Sequence, residues 1–92
     1  MYDHSRPRRR SQVIAQRVSD RLVLLDSETG AYYSLDGVGV RLWELCDGSN
    51  TVTEAVAAIC AEYDADAATV ADDVREVLNE LVRERLIEEH SR

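Results

Sequence analysis

The stretch Gly30-Ala31-Tyr32-Tyr33-Ser34-Leu35-Asp36-Gly37-Val38-Gly39-Val40-Arg41-Leu42-Trp43-Glu44-Leu45-Cys46 contains the change of period that decides the fold. Up to Leu35 the residues alternate: Ala31, Tyr33 and Leu35 fall on one side and Tyr32 and Ser34 on the other, as in a strand. After Asp36-Gly37 the apolar positions are Val38, Leu42, Leu45 and Cys46, with Trp43 beside them, which is helical spacing. Trp43 follows that pattern and is assigned to the core.

Upstream of this stretch, Val13–Val18 and Arg21–Asp26 read as two further strands, separated by the turn Ser19-Asp20. Ser27-Glu28-Thr29-Gly30 supplies turn chemistry before the third. Connections this short imply an antiparallel meander. Downstream, Asp47-Gly48 ends the first helix, and Thr51-x-x-Glu54 is a capping box opening a second, with Ala55, Val56, Ile59, Cys60 and Tyr63 on its apolar face. Asp64-Ala65 breaks that helix and Asp66 can cap a third, whose stripe is Val70, Val74, Val77, Leu78, Leu81 and Val82. Its polar face is acidic, and Leu86-Ile87 forms a last extended piece that packs or pairs. The order β-β-β-α-α-α specifies an α+β fold, winged helix-turn-helix-like, with a three-stranded antiparallel sheet followed by three helices. Residues 1–12 lack periodicity and are expected to form a flexible basic tail, with 13–88 as the domain and 89–92 as a C-terminal tail.

The 92 residues carry a net charge of −7, and every basic residue is arginine. Five arginines lie in residues 1–17, so the remainder is strongly acidic and would repel a phosphate backbone. Nucleic acid is therefore not expected as a partner. A small winged-helix DNA-binding regulator would need exposed arginines on its recognition helix, and the third helix offers Arg75 and Arg83 among many acids. No apolar run approaches the ~20 residues of a membrane span, so no membrane partner is expected. Cys46 and Cys60 lie in apolar helical patterns without C-x-x-C spacing; they read as reduced thiols, and the expected compartment is cytoplasmic.

Catalysis has no candidate. The two histidines, His4 and His90, sit in the tails, and no glycine loop can cradle a phosphate. The carboxylates have the spacing of solvated helix faces, and no calcium-loop pattern is present. We expect no catalytic residue, no metal and no cofactor. A three-stranded meander, by contrast, leaves two unpaired edges, to which an extended peptide can add.

Leu24-Leu25-Asp26, Gly30 to Asp36, Val40-Arg41-Leu42-Trp43-Glu44-Leu45-Cys46-Asp47-Gly48 and Thr51-Val52-Thr53-Glu54, in this order before a long third helix, resemble the PqqD-like family. These are recognition elements for ribosomally made, post-translationally modified peptides (RiPPs). Within the family the chain is most similar to the stand-alone leader-binding proteins of lasso peptide pathways, over residues 13–88. The resemblance implies a non-catalytic protein that binds the leader segment of a precursor peptide by β-strand addition to the third strand. It also implies presentation of that leader to a transglutaminase-like leader peptidase. Carried over, the peptide-binding residues are Ala31, Tyr32, Tyr33 and Ser34 on the strand and Val70, Asp73, Val74 and Val77 on the third helix. The valines can equally be ordinary core and Asp73 a solvated residue. A further alternative is a docking subunit of a larger modifying enzyme. Three features depart from the family pattern: Cys46 stands where leucine is usual, Arg85 stands where a helix-ending glycine is common, predicting a less abrupt end to the third helix, and the arginine-rich tail is extra.

Overall fold

The computed structural model describes residues 2–90. Its elements, in chain order, are β1 (Pro7–Arg9), β2 (Val13–Val18), β3 (Arg21–Asp26), β4 (Tyr32–Leu35), α1 (Val38–Leu45), α2 (Val52–Tyr63), α3 (Ala67–Arg83) and β5 (Ile87–Glu89). Strands β2, β3 and β4 form an antiparallel meander in that order, and β1 pairs with β5 in a separate two-stranded sheet.

The local chemistry read from the sequence operates here. In the β2–β3 hairpin Val18 opposes Arg21, and Ser19 takes φ 59°, the left-handed value that lets a two-residue loop follow the twist of its strands. Asp26 organises the next loop: its Oδ1 accepts the amides of Glu28 at 2.9 Å and Thr29 at 3.3 Å. Those bonds, the Glu28 amide first, hold its carboxyl below the usual carboxylate range. Between sheet and helix, Gly37 takes φ 51° and ψ −126°, which a side chain would strain. The capping box of α2 is complete in both directions, and Asp66 accepts the Thr69 amide at the start of α3.

One core joins the layers. Leu24 from the sheet, Leu42 and Cys46 from the α1 region, Ile59 from α2 and Val74 and Leu81 from α3 are fully buried, and Trp43 is 4% exposed. Burial raises the Cys46 thiol to about 12, so it behaves as a small apolar side chain.

The N-terminal reading needs correction. The expected flexible tail over residues 1–12 is instead folded into the domain from residue 2 onward, Met1 lying outside the described residues. The carbonyl of Ser5 accepts the Val52 amide at 3.0 Å and that of Asp3 accepts the Thr53 amide at 3.2 Å. With the capping box, these bonds satisfy the first amides of α2. At the other end of α1, Arg9 Nη1 donates to the carbonyls of Trp43 at 2.9 Å and Glu44 at 3.0 Å. β1 pairs with β5 in the register Pro7↔Glu89, Arg8↔Glu88 and Arg9↔Ile87, so the extended C-terminal piece runs to Glu89. Arg8 and Arg10 both pair with Glu88. A three-residue strand has no period to read, and its partners lie some eighty positions away, which hid it from sequence reasoning.

Arg85 also differs from expectation. α3 ends sharply at Arg83, and Arg85 takes φ 60°, with the Leu86 amide donating to Leu81 O at 2.9 Å. This is the closure a glycine usually makes. Arginine makes it at a strain of about 1–2 kcal/mol, offset by the burial of Leu86 and Ile87 immediately after it.

Candidate peptide-binding site

β4 pairs with β3 in the register Leu22↔Leu35, Val23↔Ser34, Leu24↔Tyr33 and Leu25↔Tyr32. Asp26 N donates to Ala31 O at 2.9 Å, extending the same ladder by one pair. Bonded and non-bonded pairs alternate in an antiparallel ladder. Ala31, Tyr33 and Leu35 therefore turn their backbone groups toward β3, and Tyr32 and Ser34 turn theirs outward. Among the described residues β4 has no second neighbour, and no backbone bond outside the regular elements involves Tyr32 or Ser34. The outer edge of β4 thus presents two amides and two carbonyls at strand spacing.

The side chains divide between two faces. Tyr33 is half-buried on the core face, opposite the fully buried Leu24, and its hydroxyl donates to Glu80 Oε1 on α3. Burial first, and then the Glu80 carboxylate, raise the Tyr33 phenol to about 12. Tyr32, on the other face, is 74% exposed. Ala31 and Ser34 are exposed as well.

The helix residues separate in the same way. Val70 and Val74 are 3% and 0% exposed and belong to the core beneath the site. Val77 is half-buried against that core, and Asp73 is exposed. The residue that ties α3 to β4 is Glu80, which sequence reasoning counted only among the acids of the polar face. It lies three positions after Val77 and seven after Asp73, so helical spacing from these two residues, themselves carried over by the resemblance, was the available signal. Together, Tyr33, Val77 and Glu80 place an apolar-and-acidic helix flank alongside the strand.

Two concavities lie elsewhere. One of about 410 Å³ is lined by Arg17, Arg41, Glu44 and Tyr63 among others, where Arg41 is forked onto Glu62 across α1 and α2. The other, about 180 Å³, sits under the N-terminal arm between Asp3, Val52, Val56 and Arg75. Among the described residues no group of three or more His, Cys, Asp or Glu side chains is placed to hold a metal ion, and no helix is long and apolar enough to cross a membrane.

Comparison with known proteins places the chain in a family. The chain is 38% identical to TbiB1, whose structure is solved in complex with the TbiA(beta) leader peptide; 92% of this chain and 99% of that one superpose with a TM-score of 0.79. The PqqD truncation of Methylobacterium extorquens PqqCD, a stand-alone RiPP recognition element, is 31% identical with a TM-score of 0.74 over 89% of this chain and 87% of that one. A lasso peptide synthetase B1 complexed with its leader peptide shares the fold, with a TM-score of 0.78 over 90% of this chain and 98% of that one at 16% identity. The PqqA binding protein of Xanthomonas euvesicatoria pv. vesicatoria (strain 85-10) is 34% identical over 86 residues, covering 91% of each chain. The family model for coenzyme PQQ synthesis protein D matches residues 21–87, and the chain belongs to the PqqD family.

Proposed function

We propose that this protein is a non-catalytic recognition element that binds the leader segment of a ribosomal precursor peptide by adding it as a strand to β4, and presents it to a processing enzyme. The observation that carries the reading is the outward-facing backbone of Tyr32 and Ser34 on a strand that, among the described residues, is paired on its β3 side alone. Relatives at 38% and 34% identity that bind a leader peptide and PqqA support it. A transglutaminase-like leader peptidase of a lasso pathway is the processing partner we propose. The acidic outer face of α3, where Arg75 is already engaged with Asp3 and Asp72, disfavours a DNA-binding role.

Strand pairing alone would not hold the guest. Each ordered peptide residue loses about 1–2 kcal/mol of backbone entropy, while each backbone hydrogen bond returns about 0.5–1.5 kcal/mol net. One or two buried anchors, at about 1.5–3 kcal/mol each, supply the difference. The half-buried Val77 and the ring of Tyr33 are the surfaces we assign to them, with Ala31, Tyr32 and Ser34 along the strand and Asp73 at the rim. Val70 and Val74 act from beneath, as the packing that fixes Val77.

Proline at Ser34 is the direct test. It deletes an outward amide and leaves the ladder to β3 in place, whereas proline at Tyr33 would break that ladder. Titration calorimetry with the leader peptide should show affinity reduced by about tenfold, with helical circular dichroism unchanged. Undiminished affinity would place the peptide somewhere other than on β4.

A further inference from the structure

The sheet has a second face that the core does not use. Residues opposed in an antiparallel ladder share a face. The two registers therefore set Ile14, Leu25 and Tyr32 in one row across three strands, Gln16, Val23 and Ser34 in the next, and Val18 beside Arg21 at the hairpin end. Leu22, Leu24 and Leu35 occupy the opposite, core face. Ile14 is 54% and Val18 52% exposed. The charge of this face is unusual for the molecule: among these eight residues Arg21 is the one charge, in a chain whose net charge is −7. The apolar row also ends at Tyr32, on the strand whose outer edge is vacant. A strand added there extends the face, because its alternate side chains stand beside Tyr32 and Ser34.

We propose that this outer face, lengthened by the bound peptide, is the docking surface for the enzyme that processes the peptide, a protein offering an apolar patch with a carboxylate opposite Arg21. The proposal rests on strand addition at β4 and makes docking and loading interdependent, since the enzyme meets a surface that is part protein and part substrate. A second copy of this chain is a poorer occupant: packed face to face, it has no carboxylate on this face to set against Arg21.

The test uses residues remote from the β4 edge. An Ile14→Thr/Val18→Thr double variant keeps β-branched side chains and removes apolar surface, and Arg21→Glu reverses the one charge. Purified full-length protein, the leader peptide and the processing enzyme encoded with the precursor are the reagents. Leader affinity should stay within about twofold of wild type, since the substituted side chains lie away from the bound peptide. Enzyme capture by the loaded protein and the rate of precursor processing should each fall by about tenfold or more in both variants. Wild-type protein should also retain the enzyme better with leader than without it. Unchanged capture and processing at normal leader affinity would overturn the proposal, as would a wild-type dimer that the double variant dissociates. A wild-type protein that binds no leader overturns the strand-addition reading itself, and the calorimetry separates that outcome from a failure of docking. Should the double variant unfold, Arg21→Glu, an exposed substitution, carries the test alone.

Discussion

Two edge strands of the molecule, β5 and β4, are treated in opposite ways, while β2 closes the far side of the meander as a second open edge among the described residues. At β5 the edge is filled by the protein's own arm: β1 pairs along it, Arg8 and Arg10 converge on Glu88, and the same segment caps α1 and α2. At β4 the outward groups of Tyr32 and Ser34 meet no partner among the described residues, although Tyr33 beside them is tied to Glu80. An unpaired edge is a hazard that proteins normally cover or charge. Covering the first makes it structural; the open β4 edge, flanked by Tyr33 and Glu80, is the one the proposed function assigns to a guest.

If that division is right, damage to the clasp should appear in stability and damage to β4 in binding. Deleting residues 2–10 is expected to have the largest effect. It removes backbone caps from α2 and the Arg9 cap from α1, each worth about 0.5–2 kcal/mol, so urea unfolding should show a loss of about 3 kcal/mol or more. A deletion that leaves the midpoint unchanged would return the arm to the status of a mobile tail.

A milder probe of the clasp is acid. The hydrogen bond from Arg8 is the main cause that holds the Glu88 carboxyl below its usual value. The folded pKa is below the unfolded one, so the folded state binds fewer protons. This contribution is fully present above the unfolded value near pH 4.5 and is lost as pH falls through the folded pKa. Thermal melts from pH 6 to about 3 should therefore fall less steeply for Glu88→Gln than for wild type. Equal slopes would separate the clasp from Glu88.

The smallest expected effect falls on the other region. Tyr33→Phe removes the bond to Glu80 and leaves the ring. Because that bond lies within the folded protein, unfolding free energy should fall by about 0.5–1.5 kcal/mol, and leader affinity should fall by about threefold as the ring loses its fixed position. Ultraviolet titration should lose a late tyrosine transition near pH 12, where the wild-type phenol ionises. If the midpoint drops while affinity holds, Tyr33 is a structural tie and not part of the site.

Much of the site's frame was legible beforehand. Alternation put Tyr33 and Tyr32 on opposite faces, the structure made Tyr33's the inner one, and the capping box and Asp66 set the starts of α2 and α3. The expected helix residues were legible only as a stripe. Val70, Val74 and Val77 share that stripe, but the depth to which each sinks depends on how α3 sits against the core, and only Val77 stays half-exposed. Cys46 in leucine's place was absorbed without consequence for the fold, since it is fully buried.

By itself the sequence determined the order and type of the elements after Gln12, because period, caps and turn residues act within a few positions of one another. Tertiary structure alone decided that β1 clasps β5, that Arg85 adopts a glycine's conformation to bury Leu86 and Ile87, and that Glu80 meets Tyr33. Each of these joins groups far apart in the chain, or depends on a packing gain larger than the local preference it overrides. Neither condition leaves a local pattern in the order of residues.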